Sequence, residues 1–318
     1  MKKTGFVIIL ILLSSVLIIS NTFAGVPSDT ENAIPDEITA NNGTLTVKFD
    51  LTRGGAISFI SVSGSGRNLV NIHDEGRYIQ QSYYAGKELD RKSEGQSPRW
   101  SPWSWNPIQA GDDFKNRAKI IDFSQSAETL YTKCIPMLWD MNNKPAEAIM
   151  EQWAFLSGNI IKVHNRLTCA RTDTIYGEDI LSDQELPALY PISSLYKLYY
   201  YAGNNPFSGD TLSSPEVVLL SSGFWGRYPE VPEHWMAFTD SSNWGMAVYN
   251  PLCTHFIAGM SGKPGGESKD GSTSYIAPIK KEKFKKNSVY EYDYYVIIGT
   301  LKDIREKIYL LNTKGFPG

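Results

Sequence analysis

The sequence has little of what metal centres, disulfide frameworks or nucleic-acid binding require. Its three cysteines, Cys134, Cys169 and Cys253, lie far apart and leave at least one unpaired, so neither a zinc knuckle nor a disulfide scaffold is expected. We expect buried thiols, with one disulfide as the alternative in an oxidising compartment. The formal net charge is −3, and acidic and basic residues are interspersed, which excludes a basic stripe for nucleic acid.

Long apolar runs are also absent, except at the N-terminus. Two lysines precede an apolar run from about Gly5 to Ile19, and small and polar residues follow up to Ala24, which is the layout of a secretory signal peptide. We therefore predict a signal peptide at residues 1–24, a flexible lead-in at 25–42 and one domain at 43–318. An uncleaved N-terminal anchor is the alternative. Removal of the signal peptide would leave a secreted or periplasmic protein that is not stably inserted in the membrane.

Aromatic residues are abundant, and the segments that carry them have β character. The chain has 18 Tyr and 8 Trp. Short alternating or apolar segments such as GTLTVKFD and VYEYDYYVIIG follow one another between polar or glycine-containing breaks, and EQWAFLSGNIIKV has the pattern of a hairpin. Only the C-terminus predicts a helix, with Thr300 and Asp303 as a capping box and Gly315 past the end. We predict an all-β fold, a large antiparallel β-sandwich with a short C-terminal helix.

The first strands resemble a known group. NNGTLTVKFDLTRGGAISFISVSGSGRNLVNIHDEGRYIQ, with its turn at Arg53-Gly54-Gly55-Ala56, is similar to the start of galactose mutarotase-like proteins. The resemblance implies a large twisted sandwich with a concave carbohydrate-binding face, as in mutarotases, several polysaccharide lyases and domains of glycoside hydrolases. The histidine pair and glutamate of mutarotases do not match recognisable positions here, which argues against a simple mutarotase.

Polar and aromatic residues cluster from His73 to Asp113. If RYIQQSYYAG is an extended strand, Arg77, Gln81 and Tyr83 share one face, where planar donors and a phenol suit a sugar; an ordinary solvated face is the alternative. In WSPWSWNPIQAGDD the two prolines exclude a regular strand, so we expect a rigid loop that presents indole rings either to a sugar or to the core. The sugar-binding candidates are Arg77, Gln81, Tyr83, Trp103, Trp105, Asn106, Gln109 and Trp235. No cofactor is expected; Asp112 and Asp113 leave calcium as the alternative.

Carboxylates and histidine are the candidates for proton transfer, since no nucleophile motif is present. Glu185 precedes the constrained, largely apolar LPALYP, where burial would raise its pKa. Glu233 and His234 adjoin Trp235, and Asp74 precedes Arg77. We predict an exported enzyme that cleaves glycosidic bonds of a poly- or oligosaccharide. Hydrolysis by Glu185 with Glu233 or Asp74 is preferred; the alternatives are a polysaccharide lyase, with Tyr83 or His234 as base and Arg77 neutralising a uronate, or a non-catalytic glycan-binding protein.

Overall fold

The computed structural model describes residues 34–177, 180–222 and 225–317. The predicted signal peptide and the first part of the lead-in lie outside these residues. Pro35–Gly318 form one compact unit. No helix within the described ranges is long and apolar enough to cross a membrane.

Strands dominate the described chain, which contains nineteen of them and a single α-helix. In chain order they are β1 (Glu37–Asn41), β2 (Leu45–Asp50), β3 (Ala56–Val62), β4 (Ile79–Ser82), β5 (Ala85–Leu89), β6 (Trp103–Trp105), β7 (Pro107–Ile108), β8 (Lys119–Gln125), β9 (Thr129–Ile135), β10 (Met137–Leu138), β11 (Ala148–Ser157), β12 (Ile160–Cys169), β13 (Ser182–Leu189), β14 (Lys197–Tyr200), β15 (Trp235–Thr239), β16 (Trp244–Tyr249), β17 (His255–Ser261), β18 (Thr273–Glu282), β19 (Ser288–Thr300) and the helix α1 (Leu301–Lys314).

Two large antiparallel sheets hold most of these strands. The nine-stranded sheet has the order β1-β2-β3-β4-β13-β18-β17, with β7 paired to β4 and β10 paired to β7. The eight-stranded sheet has the order β14-β15-β16-β19-β12-β11-β9-β8, and β5 and β6 form a small separate ribbon. The predicted all-β, antiparallel fold with a C-terminal helix is confirmed.

The main core is built from the inward faces of the two sheets. Strand β11 alternates strictly between buried and half-buried positions over its ten residues, and β12 does so from its second residue onward. They are joined by the two-residue turn Gly158-Asn159, in which Gly158 has φ +54°, so the predicted hairpin is confirmed. Each large aliphatic side chain that such a face buries contributes about 1.5–3 kcal/mol.

Helix α1 covers the outer face of the eight-stranded sheet. Thr300 and Asp303 form the reciprocal capping box predicted from the sequence. Ile304, Ile308 and Leu311 are buried against residues of β12, β15, β16 and β19. The outer face of the nine-stranded sheet carries a different set of side chains, and the candidate site lies there.

The structure corrects three local predictions made from the sequence. The lead-in does not extend to Asn42, because β1 already pairs with β2 from Glu37. The tryptophan-rich stretch is not wholly loop: β6 pairs with β5, and β7 starts at Pro107, a strand end where the missing proline N–H is tolerated. All three cysteines are buried and free, so the alternative of a disulfide is wrong.

Candidate active site

A cleft lies on the outer face of the nine-stranded sheet, in two parts. The inner chamber has a volume of about 150 Å³, and its lining includes Gln80, Ser82, Tyr84, Trp100, Trp103, Asn106, Trp139, Glu185, Ala188, Tyr190 and Trp225. The outer chamber has a volume of about 530 Å³, and its lining includes Tyr84, Lys87, Glu88, Trp103, Ser182, Asp183, Trp225 and Tyr228. Tyr84, Trp103 and Trp225 line both chambers, so the two parts adjoin at these three side chains.

Strand alternation explains which side chains reach the cleft. In β4, Ile79 and Gln81 point to the core between the sheets, so Gln80 and Ser82 point outward, and Tyr84 follows them on the same side. In β13, Leu186 packs into the core and Glu185 faces the cleft. Glu185 lies directly opposite Ser82 across the β13–β4 pair.

Glu185 is the carboxylate of the inner chamber, and it is held by phenols. Its side chain is only 5% exposed. The Tyr275 hydroxyl donates a short hydrogen bond to Oε1, and the Tyr84 hydroxyl lies 3.5 Å from Oε2. Burial raises the pKa of Glu185 to about 7, and the hydrogen bonds from Tyr275, Ser82 and Tyr84 oppose this only in part. Near neutral pH the group therefore exists in both protonation states, as a proton donor or acceptor requires.

Burial and the adjacent carboxyl group raise the pKa values of the neighbouring phenols. For Tyr84, Tyr190 and Tyr275 burial is the largest cause, and the Glu185 carboxylate is the next. These tyrosines are therefore neutral hydroxyl donors at physiological pH. They suit hydrogen bonding to sugar oxygens and do not act as phenolate bases.

Indole rings form the wall facing Glu185. The rings of Trp100 and Trp103 lie 5.1 Å apart, and those of Trp100 and Trp139 lie 5.7 Å apart, both in edge-to-face orientation. Asn106 fixes this wall: its Oδ1 accepts a hydrogen bond from Trp103 Nε1 at 3.1 Å, and its Nδ2 donates to the Tyr83 carbonyl oxygen at 2.8 Å. Trp100 Nε1 is shielded from solvent and has no hydrogen-bond partner among the described residues.

Some of the predicted sugar-binding residues lie near this cleft. Trp103 and Asn106 line it together with Glu185. Arg77 lies at its edge, with its guanidinium 5.4 Å from the ring of the lining residue Tyr190 and its Nε 3.5 Å from Asp74 Oδ2. The Asp74 carboxylate caps the turn through the Gly76 amide and is not part of the lining.

Other predicted sugar-binding residues belong to the core. Gln81 and Tyr83 are fully buried; the Tyr83 hydroxyl donates to Gln81 Oε1, and Gln81 Nε2 donates to the Glu151 carbonyl oxygen of the other sheet. Gln109 Nε2 donates to the Gly54 carbonyl oxygen. Trp105 is 2% exposed and packs under the guanidinium of Arg171. None of the four lines the cleft, and Gln81 lies on the inward face of β4.

The predicted group around Glu233 lies on the other sheet. Glu233 is fully buried and accepts hydrogen bonds from Trp235 Nε1 at 2.9 Å and the Tyr309 hydroxyl at 2.7 Å, while Arg305 Nη2 lies 3.2 Å away. Trp235 packs into the core beneath α1. His234 Nδ1 lies 2.8 Å from the Cys253 carbonyl oxygen. None of the three lines the cleft, so the structure does not bring them together with Glu185.

The acidic pair predicted as a calcium alternative has protein partners. Asp112 accepts hydrogen bonds from the backbone amides of Phe114, Asn116 and Asn143, and Asp113 accepts one from the Ser97 hydroxyl. Within the described ranges, no group of three or more His, Cys, Asp or Glu side chains is arranged to hold a metal ion.

Sequence reasoning missed several lining residues. Gln80, Ser82 and Tyr84 occupy the alternate face of the same RYIQQSYYAG stretch. Trp139, Tyr190 and Trp225 come from distant parts of the chain, as does Tyr275, the hydrogen-bond partner of Glu185. The alternation was a usable signal, but both faces carry glutamine and tyrosine, and nothing local indicates which face is buried.

Comparison with known proteins finds similarity at the level of solved structures. No protein-family model matches the chain, and no curated protein matches it. Among the matching structures, a galactose mutarotase-related enzyme from Lactobacillus acidophilus has 10% identity and a TM-score of 0.47, with 82% of this chain and 97% of that chain covered.

Two further structures are similar. A galactose mutarotase-like protein from Lactobacillus casei ATCC 334 has 10% identity and a TM-score of 0.48, with coverage of 82% and 99%. A 4-alpha-glucanotransferase from Thermococcus litoralis has 11% identity and a TM-score of 0.41, with coverage of 83% of this chain and 37% of that one. The galactose mutarotase-like group that the first strands resemble is thus also found among the matched structures. What the cleft can do chemically depends on the side chains of this chain that line it.

Proposed function

We propose that the protein binds a carbohydrate in the cleft and acts on it by acid–base catalysis at Glu185, cleaving a glycosidic bond by hydrolysis. The observation that carries the proposal is a buried carboxyl group with a pKa of about 7 in the lining of a chamber that also contains indoles and phenols. Protonated Glu185 would donate its proton to the glycosidic oxygen as the bond breaks.

The rest of the lining suits a sugar. The faces of pyranose rings carry C–H groups that pack on indole rings such as Trp100 and Trp103, and their hydroxyls need donors and acceptors of the kind that the phenols of Tyr84 and Tyr190 supply. The unpartnered N–H of Trp100 is a further donor for such a ligand.

Hydrolysis is preferred to β-elimination because of the charges in the cleft. Elimination from a uronic acid requires a cationic or amide group that neutralises the substrate carboxylate. The two amide nitrogens of the inner chamber already donate to the backbone: Gln80 Nε2 to the carbonyl oxygens of Glu75 and Arg77, and Asn106 Nδ2 to that of Tyr83. No Lys or Arg is among the residues described as lining the inner chamber, and burial leaves the tyrosines beside Glu185 poor bases. The anionic form of Glu185 would repel a uronate.

Binding without catalysis is the second candidate. It is favoured by the phenol contacts to both oxygens of Glu185, since they satisfy the carboxyl group without a substrate. A glycan-binding protein does not require this residue to transfer a proton.

The test is incubation of the purified mature protein with a panel of polysaccharides, measuring new reducing ends and the ultraviolet absorbance of unsaturated uronates. Reducing ends without that absorbance are expected, and Glu185→Gln should remove turnover while sugar binding persists. The exposed Glu128→Gln is the matched control and should keep wild-type turnover. Reducing ends together with the absorbance would indicate elimination, and sugar binding without turnover in the wild type would leave the glycan-binding candidate.

Export is part of the same proposal. It rests on the sequence of residues 1–24, outside the described structure. N-terminal sequencing of the protein recovered from cell fractions should begin at Gly25 in the periplasm or medium.

A further inference from the structure

A second carboxylate faces the cleft beside Glu185. Asp183 is two residues earlier in β13 and therefore shares its outward face, and it lines the outer chamber where Glu185 lines the inner one. Their backbone positions are about 7 Å apart, because a strand advances roughly 3.4 Å per residue.

Asp183 has an incomplete set of contacts. Its Oδ1 is shielded from solvent and has no hydrogen-bond partner among the described residues. An acceptor of this kind is costly to bury unless a ligand or water satisfies it. Tyr228 is its neighbour in the same chamber: burial, then the charge of the Asp183 carboxylate and a side-chain hydrogen bond to it, raise the pKa of the Tyr228 phenol.

The two chambers meet at three aromatic rings. Tyr84, Trp103 and Trp225 line both, and the rings of Tyr84 and Trp103 are 6.2 Å apart. A ligand that fills the whole cleft therefore crosses from the side of Glu185 to the side of Asp183 over these rings. The outer chamber is more than three times as large as the inner one, so the cleft offers room for more than one sugar.

We propose that the substrate is an oligosaccharide spanning both chambers, with its scissile bond at the junction, and that Asp183 is the second catalytic carboxylate, acting as general base while Glu185 acts as general acid. This inference rests on the proposed function and names both its substrate class and the partner of Glu185. Neither Glu233 nor Asp74 acts as this general base, since neither lines the cleft.

The step balances without any co-reactant except water. The Asp183 carboxylate takes one proton from a water molecule, whose oxygen forms a bond to the anomeric carbon. The bond from that carbon to the glycosidic oxygen breaks, the oxygen keeps the electron pair, and Glu185 gives it a proton. The second proton of the water stays on the new hemiacetal hydroxyl. Proton exchange with solvent then returns Glu185 to the acid form and Asp183 to the carboxylate form.

The spacing also indicates the stereochemistry. Carboxyl groups about 6.5–9.5 Å apart leave room for the attacking water and give inversion, whereas about 5–5.5 Å gives retention through a glycosyl-enzyme. The backbone separation of Asp183 and Glu185 is about 7 Å, and side chains that project side by side from alternate residues of a strand keep about that spacing, so we expect their carboxyl groups to fall in the first range. Inversion at the anomeric carbon is expected.

The experiment uses the mature protein with labelled cellotetraose, maltotetraose, galactotetraose and mannotetraose and with the corresponding monosaccharides. Asp183→Asn should lower kcat by roughly 10²–10⁴-fold, the usual contribution of a general base, while calorimetry shows tetrasaccharide affinity within about threefold of wild type. Asp122→Asn, an exposed aspartate on the edge strand β8, is the matched control and should keep the wild-type kcat. Proton NMR of the first product should show the inverted anomer, a readout in the wild-type protein that does not depend on how the variant folds.

The outcomes separate the two proposals. Cleavage by the wild type that Asp183→Asn leaves intact, retention of configuration, or equal affinity for monosaccharide and tetrasaccharide would each overturn the inference while Glu185 keeps its proposed role. Cleavage of none of the four tetrasaccharides, together with a negative polysaccharide panel, would overturn the proposed function itself. Loss of kcat in Asp183→Asn with inversion in the wild type would support both.

Discussion

The stability of the protein should depend on pH through Glu185, and Glu185→Gln should remove that dependence. Burial raises its pKa from the ordinary 4.5 to about 7. Between these values the folded state holds a proton that the unfolded state has released, so the free energy of unfolding falls as the pH rises. At 1.36 kcal/mol per pKa unit, the loss is about 3 kcal/mol, complete once the pH exceeds the folded-state pKa. The conversion is reasonable because the side chain is almost fully buried.

Urea denaturation at pH 5, 6, 7 and 8 measures this effect. The difference in unfolding free energy between wild type and Glu185→Gln should change by a few kcal/mol in favour of the variant from pH 5 to pH 8, because an amide has no charge to desolvate. Glu128→Gln, which changes an exposed carboxylate, should follow the wild-type slope. If the wild type and Glu185→Gln have parallel pH profiles, the carboxyl group titrates normally and the reasoning about its burial is refuted. The same titration predicts that kcat/KM falls above about pH 7, as the proton donor ionises.

Three further substitutions test the site and the fold. Trp103→Ala should weaken oligosaccharide binding by roughly ten- to a hundredfold in calorimetry, since it removes a wall of both chambers, whereas Trp153→Ala on the outer face of the eight-stranded sheet should not. Glu233→Gln should lower the free energy of unfolding by about 3–5 kcal/mol because it breaks a buried ion pair, and it should leave the kcat of the folded protein unchanged. A loss of kcat without a loss of stability would instead support the catalytic role predicted for Glu233 from the sequence. Gly55→Ala should lower the free energy of unfolding by about 2 kcal/mol or more, since φ is +76° and the new Cβ would lie 2.3 Å from a threonine side chain. Gly64→Ala, with φ +82° and open space around the Cβ, should lower it by only about 1 kcal/mol, and equal losses in thermal unfolding would argue against the close packing at Gly55.

The fold was predictable wherever a local pattern has one physical interpretation. The alternation in β11 and β12 and the glycine turn between them predict the hairpin. Thr300, Asp303 and the spacing of Ile304 and Ile308 predict α1 in the same way. Polar composition did not predict the end of the lead-in, because Glu37 and Thr39 lie on a strand at the edge of the sheet, where one side of the backbone meets solvent.

The site was predictable in part, and strand direction explains the failures. In RYIQQSYYAG, Tyr78 has φ +71°, so the strand that begins at Ile79 does not continue the alternation from Arg77. Gln81 and Tyr83 then point between the sheets, although their composition suits a sugar as well as that of Gln80 and Tyr84 does. A period of two fixes which residues share a face but not which face is buried.

The sequence predicts the direction of the pKa shift of Glu185 correctly, but it gives only part of the physical cause. The sequence suggests a raised pKa because the carboxyl group precedes an apolar Leu-Pro segment. In the structure Leu186 and Leu189 point into the core, away from the carboxyl group. The residues that exclude water from Glu185 are instead Tyr84, Tyr275 and the indole wall, which come from other strands. Phenols bury the acid and still offer it hydrogen bonds, so its pKa stays near 7 instead of rising further, and the carboxyl group can gain or lose a proton near neutral pH.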